Sequence, residues 1–83
     1  MRVSVISPDA AVFDGEADSL TAPAWDGQLG ILPRHAPMMT LLGRGTLQVR
    51  QGTITRRFTV EGGFLQVVDD VVRVVAERIQ GAA

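Results

Sequence analysis

Apolar and polar positions alternate in short runs along this chain. The clearest case lies between residues 46 and 60. Leu47, Val49, Ile54, Phe58 and Val60 fall on one side, and Gln48, Arg50, Thr55, Arg57 and Thr59 on the other. Period-two alternation is the mark of a half-buried strand. With Gln51-Gly52 as the turn, this stretch predicts a hairpin of strands 46–50 and 53–60. Residues 2–7 alternate too, Val3 and Val5 against Ser4 and Ile6, until Pro8-Asp9 interrupts them. Residues 11–13 predict a short strand ending at the turn signal Asp14-Gly15, and residues 16–22 the next. Strands 27–32 and 38–42 flank a stretch bounded by Pro33 and Pro37. Gly43-Arg44-Gly45 reads as a turn.

The segment 65–76 is richer in apolar residues and admits two readings. Leu65, Val68, Val72 and Val75 have helical spacing. Against a helix stand six valines between 67 and 75, each losing χ1 freedom there at a cost of several tenths of a kcal/mol. Strands 65–68 and 71–76 around Asp69-Asp70 are therefore predicted. Nine glycines and four prolines punctuate these runs. Such turn spacing predicts an all-β fold, a two-sheet β-sandwich of about eight to ten short strands. With 83 residues the chain makes one small domain. Residues 1–77 are expected to form the sandwich and 78–83 a short tail, since Gly81 follows too soon for a stable helix.

Composition narrows the function. Without cysteine there is no disulfide and no thiolate. A net charge of −1 and scattered arginines argue against a nucleic-acid partner. Of the adjacent pair Arg56-Arg57, strand alternation leans one inward and leaves one solvated. No apolar run approaches the roughly 20 residues that span a bilayer. No basic flank precedes an apolar N-terminal segment, so no signal peptide is read. The chain reads as soluble and cytoplasmic, meeting a membrane only through another protein. An apolar fraction of 46% on so small a domain points to surface that a partner covers.

Candidate chemistry is thin. There are three serines (Ser4, Ser7 and Ser19), one histidine, and no lysine or tyrosine. Ser7, His35 and Asp26 make a triad on paper, but no nucleophile elbow surrounds any serine. A single histidine without cysteine makes a poor transition-metal site. Gly43-Arg44-Gly45 lacks the rest of a phosphate loop. Asp69-Asp70 reads as a solvated turn rather than a calcium ligand pair. Trp25 reads as a partial core residue or rim anchor rather than a ligand platform. No catalytic residue, metal, cofactor or small-molecule ligand is expected. Of Met38 and Met39, at most one can fill the core. The other suits an interface, where methionine adapts well.

The densest constraint lies in residues 26–37, Asp-Gly-Gln-Leu-Gly-Ile-Leu-Pro-Arg-His-Ala-Pro. Two glycines, two prolines and the only histidine share twelve residues. The spacing Gly-x-Leu-Gly-Ile-x-Pro-x-His-Ala-Pro closely resembles the signature of the epsilon subunit of bacterial F-type ATP synthase (delta in mitochondria). Residues 2–7, Val12-Phe13-Asp14-Gly15 and Gly62-Gly63-Phe64-Leu65-Gln66-Val67 agree, so the resemblance covers roughly residues 2–77. It implies a non-catalytic central-stalk subunit that couples rotation of the c-ring to the gamma subunit, at the cytoplasmic face of the bacterial inner membrane. It implies a c-ring contact at Asp26, Gly27, Gln28, Leu29, Gly30 and Ile31. The family often has glutamate where this chain has Gln28, which removes one charge from that contact. It implies a gamma contact at Ser7, His35, Met39, Thr40 and Thr46. The helical hairpin that commonly follows in the family, with its inhibitory and ATP-binding roles, is not carried over. The chain is expected to be a short form that couples without inhibiting.

Two readings of other classes remain at this point. An adaptor sandwich would bind a peptide along a long unpaired edge strand. A small hydrolase would show a pocket with a perturbed titratable group. A stalk subunit would show two patches, one apolar and one a protruding polar loop.

Overall fold

The computed structural model describes residues 1–81. It has eight strands, β1 (Arg2–Ile6), β2 (Ala11–Glu16), β3 (Ser19–Ala24), β4 (Gly27–Ile31), β5 (Met38–Leu41), β6 (Arg44–Gln51), β7 (Ile54–Val68) and β8 (Val71–Gln80). Hydrogen bonds join them into one sheet in the order β2-β1-β8-β7-β6-β3-β4, with β5 paired to β7. This sheet is not flat, since inward residues from both of its ends join one buried cluster in a body of 27 × 25 × 22 Å. It folds over into a sandwich-like body, as the alternation predicts. The two expected sheets are thus two layers of one continuous sheet.

The fold line crosses β7 and β8. In the first half of β7 the inward residues are Phe58 and Val60. In the second half they are Leu65 and Val67. The inward parity changes from even to odd between them. A regular strand cannot do this, because side chains alternate strictly. Gly62 and Gly63 make the change, at φ 68° and 104°. These values are open to glycine and strained for other residues. Opposite them β8 changes parity as well, from Val72, Val74 and Ala76 to Ile79. Below this corner β7 pairs with β6, and above it with β5. The first layer is therefore β2, β1, residues 71–76 of β8, residues 64–68 of β7, and β5. The second layer is residues 54–61 of β7, β6, β3 and β4. The end of β3 returns to the first layer through a bridge between Ala24 and Leu42.

Both layers contribute to one core. Val3, Val5, Leu65, Val67, Val72 and Val74 meet Leu20, Ile31, Leu47, Val49, Phe58 and Val60, all between 0% and 3% exposed. No polar side chain is buried among the described residues. The 65–76 hairpin is present as predicted. Asp69 and Asp70 both adopt left-handed φ, 51° and 63°, the conformation of a two-residue type I′ turn.

Several boundaries differ from the sequence reading. Asp14-Gly15 is no turn. Gly15 pairs with Val3, and Asp14 is held by the Ser4 hydroxyl at 3.3 Å and by Arg2 at 3.0 Å. The chain reverses at Ala17-Asp18, where the Asp18 carboxylate accepts the Gly52 N–H at 2.6 Å. The β6–β7 turn is Gly52-Thr53, because Gln51 pairs with Ile54. Ile54 has core parity but lies at the hairpin tip, 57% exposed. Gly43-Arg44-Gly45 is not a turn, since β6 already begins at Arg44. β8 runs to Gln80, three residues past the expected end of the sandwich, with Arg78 opposite Glu61. Of the expected tail, Ala82 and Ala83 lie outside the described residues. Arg56 and Arg57 are both exposed, against the expectation that one leans inward; Arg56 has core parity, but its guanidinium stops at the rim, 5.8 Å from the Phe13 ring.

Candidate functional site

The outer face of the first layer is built from cross-strand neighbours. Leu41 lies opposite Phe64, Phe64 opposite Val75, and Val75 beside Ile6. Directly opposed residues share a face, so these four make an apolar row across four strands. Val68 and Val71 extend it toward the β7–β8 turn. Met39 lies in the next row with Gln66 and Arg73. Leu41 is 64% exposed and Met39 63%. At the far end of the row is a shallow hollow of about 300 Å³, lined by Ser7, Pro8, Phe64, Val75 and Glu77. Among the described residues no strand or loop packs over this strip.

At one end of the face the loop 32–37 enters β5. The His35 N–H donates to the Leu32 carbonyl at 3.2 Å, closing a tight turn over Pro33 and Arg34. The His35 ring lies 2.8 Å from the Ala36 carbonyl through Nδ1. A carbonyl only accepts, so Nδ1 donates this bond. The Asp70 carboxylate reaches this loop from the β7–β8 turn and accepts the Arg34 N–H at 2.8 Å. That bond, ahead of all other influences, holds the Asp70 carboxyl below its ordinary value of 3.8.

The β3–β4 hairpin projects beside Leu41. Its turn is Trp25-Asp26, and the Trp25 N–H donates to the Leu41 carbonyl at 3.0 Å. Trp25 is 69% exposed, so it is no core residue. A two-residue turn holds its side chain beyond the pairing, with no layer above it. Asp26, Gly27 and Gln28 are exposed with it. An apolar strip and a polar tip thus adjoin through the Leu41 backbone.

Comparison with known proteins places this geometry. The sequence model of the ATP synthase delta/epsilon chain β-sandwich domain matches residues 1–82. The chain belongs to that family. The ATP synthase epsilon chain of Leptospira borgpetersenii is 44% identical over 77 residues, covering 93% of this chain and 61% of that one. The epsilon chain of Caulobacter vibrioides is 36% identical over 83 residues, covering 100% of this chain and 96% of that one. This chain spans about three fifths of the length of the Leptospira relatives it matches. Among solved structures, a chain in the central stalk and c-ring of the Tetrahymena thermophila mitochondrial ATP synthase has the same fold, with TM-score 0.82 at 18% identity over 96% of this chain and 65% of that one. A chain of the Euglena gracilis mitochondrial ATP synthase gives 0.86 at 23%, covering 94% and 51%.

The contact residues expected of an epsilon-family domain do not all lie together. Ser7 lines the hollow, its hydroxyl donating to the Ala10 carbonyl at 3.1 Å. Met39 stands on the apolar face, while Met38 packs against the core. His35 sits on the adjoining loop. Thr40 turns to the inner side of β5, opposite the buried Leu65. Thr46 lies opposite Thr59 on the outer face of the second layer. In the hairpin set, Asp26, Gly27, Gln28 and Gly30 are exposed and Leu29 leans on the core. Ile31 is 1% exposed and is a core residue, because its parity on β4 points inward. Ser7, His35 and Asp26 make no hydrogen bond to one another. Sequence reasoning missed Leu41, Phe64, Val75 and Ile6 as a surface row. The doubled valines at 67–68, 71–72 and 74–75 were the available signal, since adjacent strand residues point to opposite faces and one of each pair must face outward. It also missed Asp70 as the holder of the His35 loop, for which no local signal exists.

Proposed function

We propose that this domain is a non-catalytic part of the central stalk of an F-type, proton-translocating ATP synthase, where it couples rotation of the c-ring to the gamma subunit. Membership of the delta/epsilon family supports the complex. The observation that carries the finer reading is the pairing of an uncovered apolar strip with an adjoining exposed polar tip. The strip suits gamma. Leu41, Phe64, Met39 and Ser7 would meet it, with His35 at the margin, through contacts that are mostly neutral. The tip at Asp26, Gly27 and Gln28 would meet the polar loops of the c-ring, leaving contact with the membrane indirect. On this reading the domain would sit at the cytoplasmic face of the bacterial inner membrane. Torque between two partners needs a stiff body, and a close-packed two-layer core provides one.

The free edges favour this reading over an adaptor that recruits a peptide as an added strand. Edge strands β2, β4 and β5 have six, five and four residues, short lengths of the kind that limit edge pairing. The test is co-purification of the chain with recombinant gamma. Leu41→Asp should abolish it, and Asp26→Ala should leave it intact while weakening retention of the c-ring. Normal binding of gamma by Leu41→Asp would refute the assignment.

A further inference from the structure

We infer that Asp70 is a positioning residue for the partner-binding surface: by holding the amide of Arg34 it fixes the turn of residues 32–35, and with it His35, in the orientation offered to gamma. This rests on the gamma reading above.

The turn needs such a clamp. With the His35 N–H bonded back to Leu32, Pro33 takes the second position and Arg34 the third. Arg34 has φ 68°. That is type II geometry, which asks for glycine at the third position. A side chain there is strained and persists only where its surroundings impose the conformation. Pro33 and Pro37 stiffen the rest of the loop through their own fixed φ, which leaves Arg34 as the weak link. In this turn type the amide of the third residue points away from the turn's own hydrogen bond and is free for an outside acceptor. Asp70 Oδ1 is that acceptor, at 2.8 Å and 36 residues along the chain. Asp70 is itself held. Its carbonyl accepts the Arg2 N–H at 3.0 Å, and Oδ2 lies 3.6 Å from the N-terminal amine. The turn that bears His35 is thus referenced to β1 and to the β7–β8 hairpin, not only to its own flanking strands.

The experiment is a cycle of Asp70→Gly, Arg34→Gly and the double variant in the complete chain. Glycine, rather than alanine, removes the carboxylate while accepting the φ of 63° at position 70. Two readouts are taken, amide hydrogen exchange in the isolated chain and affinity for gamma. Asp70→Gly should speed exchange at Arg34 and His35 about tenfold or more and leave the Leu47 and Val60 amides unchanged. It should weaken gamma binding about fivefold to tenfold. Asp70→Asn keeps an acceptor oxygen and should restore affinity to within about threefold of wild type. In the Arg34→Gly background the loss on Asp70→Gly should shrink to about twofold or less, because the turn no longer needs holding. Unchanged exchange at Arg34 and His35 in Asp70→Gly would overturn the inference, whatever gamma does. An equal loss of affinity in both backgrounds would overturn it too, by making Asp70 a direct contact. If wild type fails to bind gamma at all, the gamma assignment falls, and the inference falls with it as a statement about a partner surface.

Discussion

The outer faces of the two layers share one strand, β7, yet they differ in kind. In the second layer β7 presents Thr55, Arg57 and Thr59 outward, beside Thr46, Gln48 and Arg50 of β6. In the first layer the same β7, past Gly62 and Gly63, presents Phe64, Gln66 and Val68, beside Val71, Arg73 and Val75 of β8. Both have an apolar inner side, as the core requires. Only one has an apolar outer side, which folding alone does not call for. Each Å² of it removed from water contributes about 25 cal/mol to association. The difference separates the apolar surface that folding uses from the apolar surface that folding leaves exposed.

The sharpest way to break this comparison is to remove the corner that separates the faces. A Cβ on Gly63 would fall on the Val75 carbonyl oxygen and 2.8 Å from the Ala76 Cα. Both are backbone, so neither can step aside. Gly63→Ala should cost about 3–5 kcal/mol and lower the melting temperature by more than about 12 °C, read by thermal denaturation. A normal melt would mean that the strands do not change layers there.

Charge placed on each face tests the contrast directly. Leu41→Asp should reduce affinity for gamma about 100-fold or more, since an unpaired charge buried in an interface costs several kcal/mol. Its effect on the stability of the isolated chain should stay within about 0.5 kcal/mol, as Leu41 is exposed there. Thr59→Asp, on the polar face, should leave binding within about threefold. Titration calorimetry measures both. Equal losses would erase the distinction between the faces.

Acid gives a smaller effect. Asp70 is held below its ordinary value of 3.8, chiefly by the Arg34 N–H. A depressed carboxylate stabilises fully above its unfolded pKa and loses that contribution as pH falls through the folded one. The faster His35 exchange in Asp70→Gly should therefore stand out at neutral pH. As pH falls below the ordinary value of 3.8 and through the depressed one, wild type should approach the variant. Exchange measured across that range, corrected for intrinsic rates, checks it. The smallest effect is optical. Trp25 is the only tryptophan and 69% exposed, so unfolding should barely shift its emission. Docking of the hairpin tip on the c-ring should shift it to the blue.

The second layer was legible in the sequence because it obeys one rule. Leu47 to Arg50 and Arg57 to Val60 alternate without exception, and the structure places each as expected. The first layer was legible as strands but not as a surface. Its doubled valines hid which member of each pair faced in, and register alone decides that. The parity change at Gly62-Gly63 split β7 into two apparent strands, because alternation fails across it. Asp14-Gly15 misled because a turn signal is local while its pairing with Val3 and Ser4 is not. In the motif at 26–37, spacing could mark the segment but could not say that Ile31 points inward. Nor could it place Thr40 and Thr46 on separate sides. Asp70 was invisible for the plainest reason, that its partner lies 36 residues away.

The parallel pairing of β1 with β8 also bears on how the chain is made. β1 and β2 join the rest of the sheet only through β8, and Val3 and Val5 lie beside Val72 and Val74. On a ribosome residues 1–16 emerge with the apolar side of β1 and nothing to rest it on, and a two-stranded hairpin alone is marginal in water. Residues 17–68 can assemble β3 to β7 meanwhile, but the last gap waits for the last strand. Folding must therefore close a loop of about seventy residues, a high contact order that slows it. The finished body appears only after synthesis has passed β8. Until then Val3, Val5, Leu65 and Val67 remain open to wrong pairing, so the interval between translation and closure is when this small domain is most exposed to aggregation.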